Sequence, residues 1–157
     1  GTCRHRSLSQ ARPGDALRLD MRKAVKALQK PVTYEEFGEQ HSKRITLKAE
    51  ALIAQVGDVV LRRKDQGAAY HLAVVIDDDA QNITDVVRGA DLNAATQIHV
   101  VLQQLLNIPT PRYHHHSLIR DETGKRLAKR SDSEALSSLR KAGHSAQDIT
   151  ERLFSAP

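Results

Sequence analysis

The chain has 157 residues, 39% of them apolar and 27% charged, a balance that excludes intrinsic disorder and gives one domain enough material for a core. No apolar run approaches the roughly 20 residues of a membrane-spanning helix, and the lone cysteine excludes an internal disulfide, so a cytoplasmic setting is expected. A net charge of +5 favours phosphate-bearing partners, and aromatics at 3% leave the core to Leu, Val, Ile and Ala.

The chain opens on Gly1-Thr2-Cys3-Arg4, with no initiator Met and no signal-peptide pattern, as a piece cut from something longer would. Residues 1–14 are polar and end in the turn signal Pro13-Gly14. Leu17, Leu19 and Met21 then alternate with Arg18 and Asp20, which predicts a half-buried strand. Residues 22–30 predict a short helix closed by Pro31, and 32–37 (VTYEEF) another strand; 38–56 predict no definite element. From Gly57 the texture changes: DVVLRR is β-branched and runs into a turn at Lys64-Asp65-Gln66-Gly67. AYHLAVVIDDDA stays ambiguous, because Val74, Val75 and Ile76 favour a strand while Asp77 to Asp79 suit a helix end poorly.

A strand is predicted over Ile83–Val87, followed by Arg88-Gly89. Leu92, Ala95, Ile98, Val101, Leu102, Leu105 and Leu106 then fall on one helical face, with Asp91 or Asn93 as the expected cap and Asn107 and Pro109 ending the helix. Strand, crossover, strand and helix is the order of a layered α/β unit. The tail predicts two short helices, the first with a capping box at Ser131-x-x-Glu134 and Gly143 as its C-cap, the second over Ser145–Phe154.

Several motifs invite chemistry. His114, His115 and His116 are adjacent, yet neighbours on extended chain point to opposite faces, so they read as polar surface rather than as metal ligands. Cys3 alone cannot make a four-ligand zinc site, and Asp77 to Asp79 read as a solvated helix end rather than a magnesium site. Arg88-Gly89-Ala90-Asp91 lies where a strand gives way to a helix, the place where open α/β sheets bind ligands. There Gly89 admits close approach, Arg88 can fork onto a carboxylate and Asp91 can accept from a ribose hydroxyl, although a glycine after a strand is also plain turn chemistry. In GKRLAKR, residues 124–130, a glycine precedes cations that flank Leu127 and Ala128, which suits a loop closing on a phosphate chain; a solvated surface or a nucleic-acid patch is the plainer alternative.

Taken in order, DVVLRRKDQGAAYHLAVVIDD, ITDVVRGADL, PTPRYHHHSLI and GKRLAKR resemble the second half of a glutamyl-type class I aminoacyl-tRNA synthetase, closely over residues 57–131 and loosely over 1–56. The resemblance implies an α/β fold: the second half of a class I synthetase Rossmann fold, preceded by the end of an α+β insertion and followed by a short helical tail. The divisions it implies are 1–56 (insertion), 57–110 (second Rossmann half) and 111–157 (the KMSKS-like loop and C-terminal helices). It also implies that YHLAVVIDDDA is helical. Tyr70 and Arg88 match the family's glutamate-binding positions, Asp91 an ATP-binding position, and Lys129 the ATP-contacting lysine of the KMSKS loop, its catalytic cation. Cys3 matches the last ligand of the family's zinc site, whose other ligands would lie upstream.

Two departures stand in that loop, where the family has Lys-Leu-Ser-Lys and this chain has Arg126-Leu127-Ala128-Lys129. Arg keeps the charge without the ammonium geometry, and Ala removes a hydroxyl. TQIHVVLQ, residues 96–103, also differs from the Thr-Pro-Arg-Gln with which the family opens that helix. The HIGH motif belongs to the half that would precede Gly1, so the chain alone is expected to be inactive. The end after two helices, the LAKR form and RYHHH resemble the short branch, the glutamyl-Q tRNA(Asp) synthetases, which attach glutamate to queuosine of tRNA(Asp). The implied partners are L-glutamate, ATP with Mg2+, and tRNA, with zinc in the full-length protein and no membrane. A truncated ordinary glutamyl-tRNA synthetase and a non-catalytic RNA-binding module are the alternatives.

Overall fold

The computed structural model describes residues 5–28, 30–38, 42–64, 67–120, 124, 126–127 and 135–155. The chain divides into two units, Gly1–His116 and Ser117–Pro157.

In the first unit a 3-10 turn, Leu8–Gln10, precedes strand β1, Leu17–Leu19. The predicted strand stops short of Met21 because the Asp20 side chain accepts from the Lys23 amide at 3.2 Å and starts helix α1, Met21–Ala27. Met21 and Ala24 are buried, and Val25 and Leu28 pack against the same core, the spacing of one helical face. Strands β2, Val32–Phe37, and β3, Ser42–Leu47, pair antiparallel from Val32↔Leu47 to Phe37↔Ser42. β3 was not apparent in the sequence because its outer end is charged and exposed at Lys43 and Arg44, as suits an edge strand.

A single helical turn, α2, Ala49–Ala51, passes into a π-helical turn, Leu52–Val56, that buries Leu52 completely. Gly57 closes it: its amide donates to the Leu52 carbonyl at 3.0 Å, with φ 66° and ψ −157°, a backbone region open to glycine alone. Strand β4, Val59–Arg62, pairs antiparallel with β1 in a separate two-stranded sheet. Helix α3, Tyr70–Ala80, settles the ambiguous segment as a helix despite its β-branched run; Val75 faces the interior. It ends in a Schellman motif with Asn82 left-handed at φ 55°: Ile83 N–H donates to Asp78 O at 2.9 Å and Asn82 N–H to Asp79 O at 2.9 Å.

Strand β5 runs Asp85–Gly89, two residues later than predicted. A 3-10 turn, Ala90–Leu92, feeds helix α4, Asn93–Leu106, so neither Asp91 nor Asn93 serves as the cap; Leu92 holds that place without a side-chain bond. Asn107, left-handed at φ 59°, ends α4 where expected. Strand β6, Arg112–His116, lies parallel to β5 from Asp85↔Arg112 to Gly89↔His116, and parallel to β2 at Glu36↔Tyr113. The main sheet therefore has the order β3-β2-β6-β5 and is mixed, with strand 32–37 in the same sheet as 85–89 and 112–116.

The core gathers Met21, Ala24, Val32, Tyr34, Leu52, Val59, Val100, Val101 and Tyr113. An aliphatic core was expected, but two of the chain's three tyrosines sit in it, edge to face at 5.6 Å and 84°. The predicted face of α4 also needs correction. Thr96, His99, Val100 and Gln103 are buried with Val101 and Leu102, while Leu106 is 45% exposed. The helix packs against α1, α3 and β2 together, so more of its circumference is covered than an amphipathic stripe supplies.

In the second unit, Leu127 N–H donates to Ile119 O at 3.0 Å and Arg120 Nη1 to Gly124 O at 2.9 Å, forming a small hairpin at the start of GKRLAKR. Helix α5 spans Leu136–Lys141; the Ser131–Glu134 capping box expected before it lies outside the described residues. Gly143, at φ 93°, closes α5, with His144 N–H on Leu139 O at 3.1 Å. Helix α6, Ala146–Ser155, opens on a capping box that was not anticipated: Ser145 N–H donates to Asp148 Oδ2 at 2.7 Å, and Asp148 N–H to Ser145 Oγ at 3.1 Å. The Ser145 amide, and then its hydroxyl, hold the Asp148 carboxyl below its usual pKa.

Candidate active site

The parallel register sets Arg88 of β5 beside His115 of β6, at the carboxyl end of the strands. The guanidinium donates through Nε to His115 Nε2 at 3.2 Å, through Nη1 to His99 Nδ1 at 3.2 Å and through Nη2 to Thr96 Oγ1 at 2.6 Å. Its carbon also lies 5.1 Å from the centre of the Tyr113 ring. Among the described residues no carboxylate forms an ion pair with Arg88. A half-buried cation is thus oriented by groups that do not neutralise it. Three of its five N–H groups are engaged, which leaves one on each terminal nitrogen, the pair that takes a carboxylate bidentately.

Behind Arg88 the network reaches β2. Nδ1 of His115 meets Glu36 Oε1 at 2.8 Å and Oε2 at 3.0 Å, and the His115 amide donates to Oε1 at 3.0 Å. Because Arg88 Nε donates to Nε2 of this ring, the ring proton sits on Nδ1 and faces Glu36. His114 turns the other way, its Nδ1 2.6 Å from the Phe37 carbonyl, and His116 is exposed. The alternation that kept the three histidines apart in the sequence reading holds in the strand. Among the described residues no three His, Cys, Asp or Glu side chains gather where they could hold a metal.

On the other side, His99 Nε2 lies 3.0 Å from His71 Nδ1, with ring centres 5.2 Å apart. The Tyr70 ring stands edge-on to His99 at 5.9 Å and to His71 at 5.5 Å. Burial, then the Arg88 charge, then His71 push the His99 pKa from 6.5 to about 3. Burial and Arg88 lower His71 as well. Tyr70 and His71 open on a cleft of about 820 Å3 whose lining includes Asp58, Arg63, Lys64, Ala69 and Ile98.

The expected site residues fare differently. Tyr70 and Arg88 both contact His99; Tyr70 lines the cleft, and Arg88 is not among its lining residues. Asp91 is exposed on the 3-10 turn after β5. Cys3 and Lys129 lie outside the described residues. Glu36, His71, Thr96 and His99 were not anticipated. One signal was present: Thr96, His99 and Gln103 are polar at i, i+3 and i+7 of α4 and buried there, and polar groups facing a core need partners.

Residues 17–154 match the model of the class I tRNA synthetases (E and Q), catalytic domain. The chain belongs to this family. Among its relatives, the glutamyl-Q tRNA(Asp) synthetase of Rhodobacter capsulatus is 49% identical over 152 residues, which cover 95% of this chain and 53% of that protein. The protein of that name from Xanthomonas campestris pv. campestris is 46% identical over 130 residues, covering 79% and 43%. A crystal structure of glutamate-tRNA synthetase from Elizabethkingia anophelis superposes with a TM-score of 0.47 at 24% identity, over 74% of this chain and 21% of that one. The chain spans about half the length of the Rhodobacter relative. No helix among its described residues is long and apolar enough to cross a membrane.

Proposed function

We propose that this chain carries the amino-acid-binding part of an ATP-dependent ligase that activates L-glutamate and attaches it to queuosine of tRNA(Asp). The observation that carries the reading is Arg88: a cation fixed by three neutral acceptors, with a free N–H on each terminal nitrogen and no protein carboxylate against it among the described residues. Such a group recognises the carboxylate of a small acidic amino acid, and the Tyr70 hydroxyl on the adjoining cleft adds a second polar contact. The relatives named glutamyl-Q tRNA(Asp) synthetase support the choice of acceptor.

On this reading the glutamate carboxylate attacks the α-phosphate of ATP, pyrophosphate leaves, and the glutamyl group then passes from the adenylate to a hydroxyl of the RNA. Arg88 and Tyr70 position the amino acid, Asp91 meets the ribose, and Lys129 of GKRLAKR stabilises charge on the phosphates. ATP enters with Mg2+, and Cys3 completes a zinc site with ligands upstream. Residues 1–56 end the insertion, 57–110 form the second Rossmann half and 111–157 the KMSKS-like loop and helices.

The test is glutamate-dependent ATP–pyrophosphate exchange without tRNA, in the full-length gene product and in its Arg88→Ala variant. Exchange that vanishes in the variant supports the reading. Exchange only after tRNA(Glu) is added points to an ordinary glutamyl-tRNA synthetase, and silence in both conditions, with salt-sensitive RNA binding, points to an RNA-binding module.

A further inference from the structure

We propose that His71 is a specificity-determining residue: Arg88, acting through His99, fixes its tautomer so that His71 Nε2–H faces the cleft and selects a ligand that places a carboxylate oxygen there. The inference rests on the reading of the cleft as the glutamate site.

The argument is one of donors and acceptors. A guanidinium only donates, so His99 Nδ1, 3.2 Å from Arg88 Nη1, must be unprotonated. A neutral His99 then carries its proton on Nε2, which lies 3.0 Å from His71 Nδ1 and donates to it. His71 Nδ1 is thereby an acceptor, and the proton of neutral His71 belongs on Nε2. Reversing His99 would set N–H against the guanidinium, and reversing or protonating His71 would set N–H against the N–H of His99. Burial and the Arg88 charge favour the neutral form of both rings. Nε2 of His71 has no partner among the described residues and is not a buried orphan; its ring lines the 820 Å3 cleft.

The rest of that wall agrees. Tyr70, Arg63 and Lys64 supply donors beside His71. The one acid among the described residues of that wall, Asp58, accepts the Met21 amide at 3.2 Å. A ligand oxygen at His71 therefore meets a donor with further donors beside it, whereas a ligand ammonium or amide N–H there would meet another N–H. His71 serves as a positioning and selecting group, not as a proton carrier, because its only proton faces the ligand and its other nitrogen is occupied.

The experiment uses the full-length gene product labelled with [15N]histidine. Without ligand, at pH 7, long-range proton–nitrogen spectra are expected to show His71 and His99 as Nε2–H tautomers, each assigned by its substitution. Glutamate-dependent exchange is then measured in His71→Asn, which keeps an acceptor for His99 but places nothing at Nε2, and in His71→Gln, which returns an N–H there. The expected result is a KM for L-glutamate raised about tenfold in the Asn variant with kcat kept, and largely restored in the Gln variant. A His71 Nδ1–H tautomer, or an Asn variant with the parent's KM, overturns the inference while leaving the glutamate reading in place. A parent with no glutamate response overturns both.

Discussion

Arg88 donates to Nδ1 of His99 at 3.2 Å, and that one bond decides which nitrogen of His99 can hold a proton. It sets a permanent cation against a ring that must stay neutral. The ring is 2% exposed, so burial works in the same direction. The groups that accept directly from the guanidinium are thus oriented and neutral, and the Glu36 carboxylate lies one ring beyond, on His115.

Stability should fall in mild acid for this reason. The folded pKa of His99 is about 3 against 6.5 in the unfolded chain, so between these values only the unfolded chain takes up the proton. The contribution is whole above pH 6.5 and shrinks as pH falls, by up to about 1.4 kcal/mol per unit. Urea unfolding at pH 7.5 and pH 5 should differ by about 2 kcal/mol from this residue. His71, also lowered, adds in the same direction. A His99→Gln variant should lose most of the difference; an unchanged pH dependence would show that other groups cause it.

Replacing the cation separates its two effects. In Arg88→Met, the His99 pKa should rise yet remain below 6.5, because burial is the larger cause and Arg88 the second. A histidine titration by NMR reads this directly, and a value that does not move contradicts the coupling. Arg88→Lys keeps the charge but loses the fork, so KM for glutamate should rise at least about tenfold.

Gln103 and Tyr113 make a buried pair, with Gln103 Nε2 donating to the Tyr113 hydroxyl at 3.0 Å while Gln103 Oε1 has no partner among the described residues. Tyr113→Phe removes the only bond of that amide and should cost about 1–3 kcal/mol. Gln103→Met strands the hydroxyl similarly. The double variant should be nearer to the parent than the sum of the singles, by about 1 kcal/mol or more in a double-mutant cycle. Strict additivity would show that the bond contributes nothing.

Gly57 tests the backbone alone. A Cβ there would meet no atom within 4 Å, but φ 66° with ψ −157° is strained for any other residue. Gly57→Ala should destabilise by about 1–3 kcal/mol, with a lower midpoint in thermal melting. A melt equal to the parent's would mean that the π-helical turn before it relaxes freely.

The sequence made the strand–turn–helix around Arg88 legible, because β-branched alternation, Arg-Gly and an apolar helical period each have a local cause. Asn107 was legible as a helix end for the same reason. Helix α3 was not legible from its residues: Val74, Val75 and Ile76 prefer extended chain, and packing of Val75 into the interior overrides that preference. β3 hid behind edge charges. Most of the site network was hidden because its bonds are long-range: Glu36 and His115 are 79 residues apart and His71 and His99 are 28 apart. Periodicity within a window cannot find such pairs.

The distance between Glu36 and His115 also sets a timetable. Strand β2 is synthesised before its parallel partner β6, which follows 79 residues later. At about 5–20 residues per second, the hairpin of β2 and β3 waits on the order of ten seconds with its inner edge unpaired. During that interval it is the stretch of the nascent chain most open to pairing with a stray strand. Arg88 gains its bond to His115 only when β6 arrives, so the network around the cation closes after its other partners have already been made.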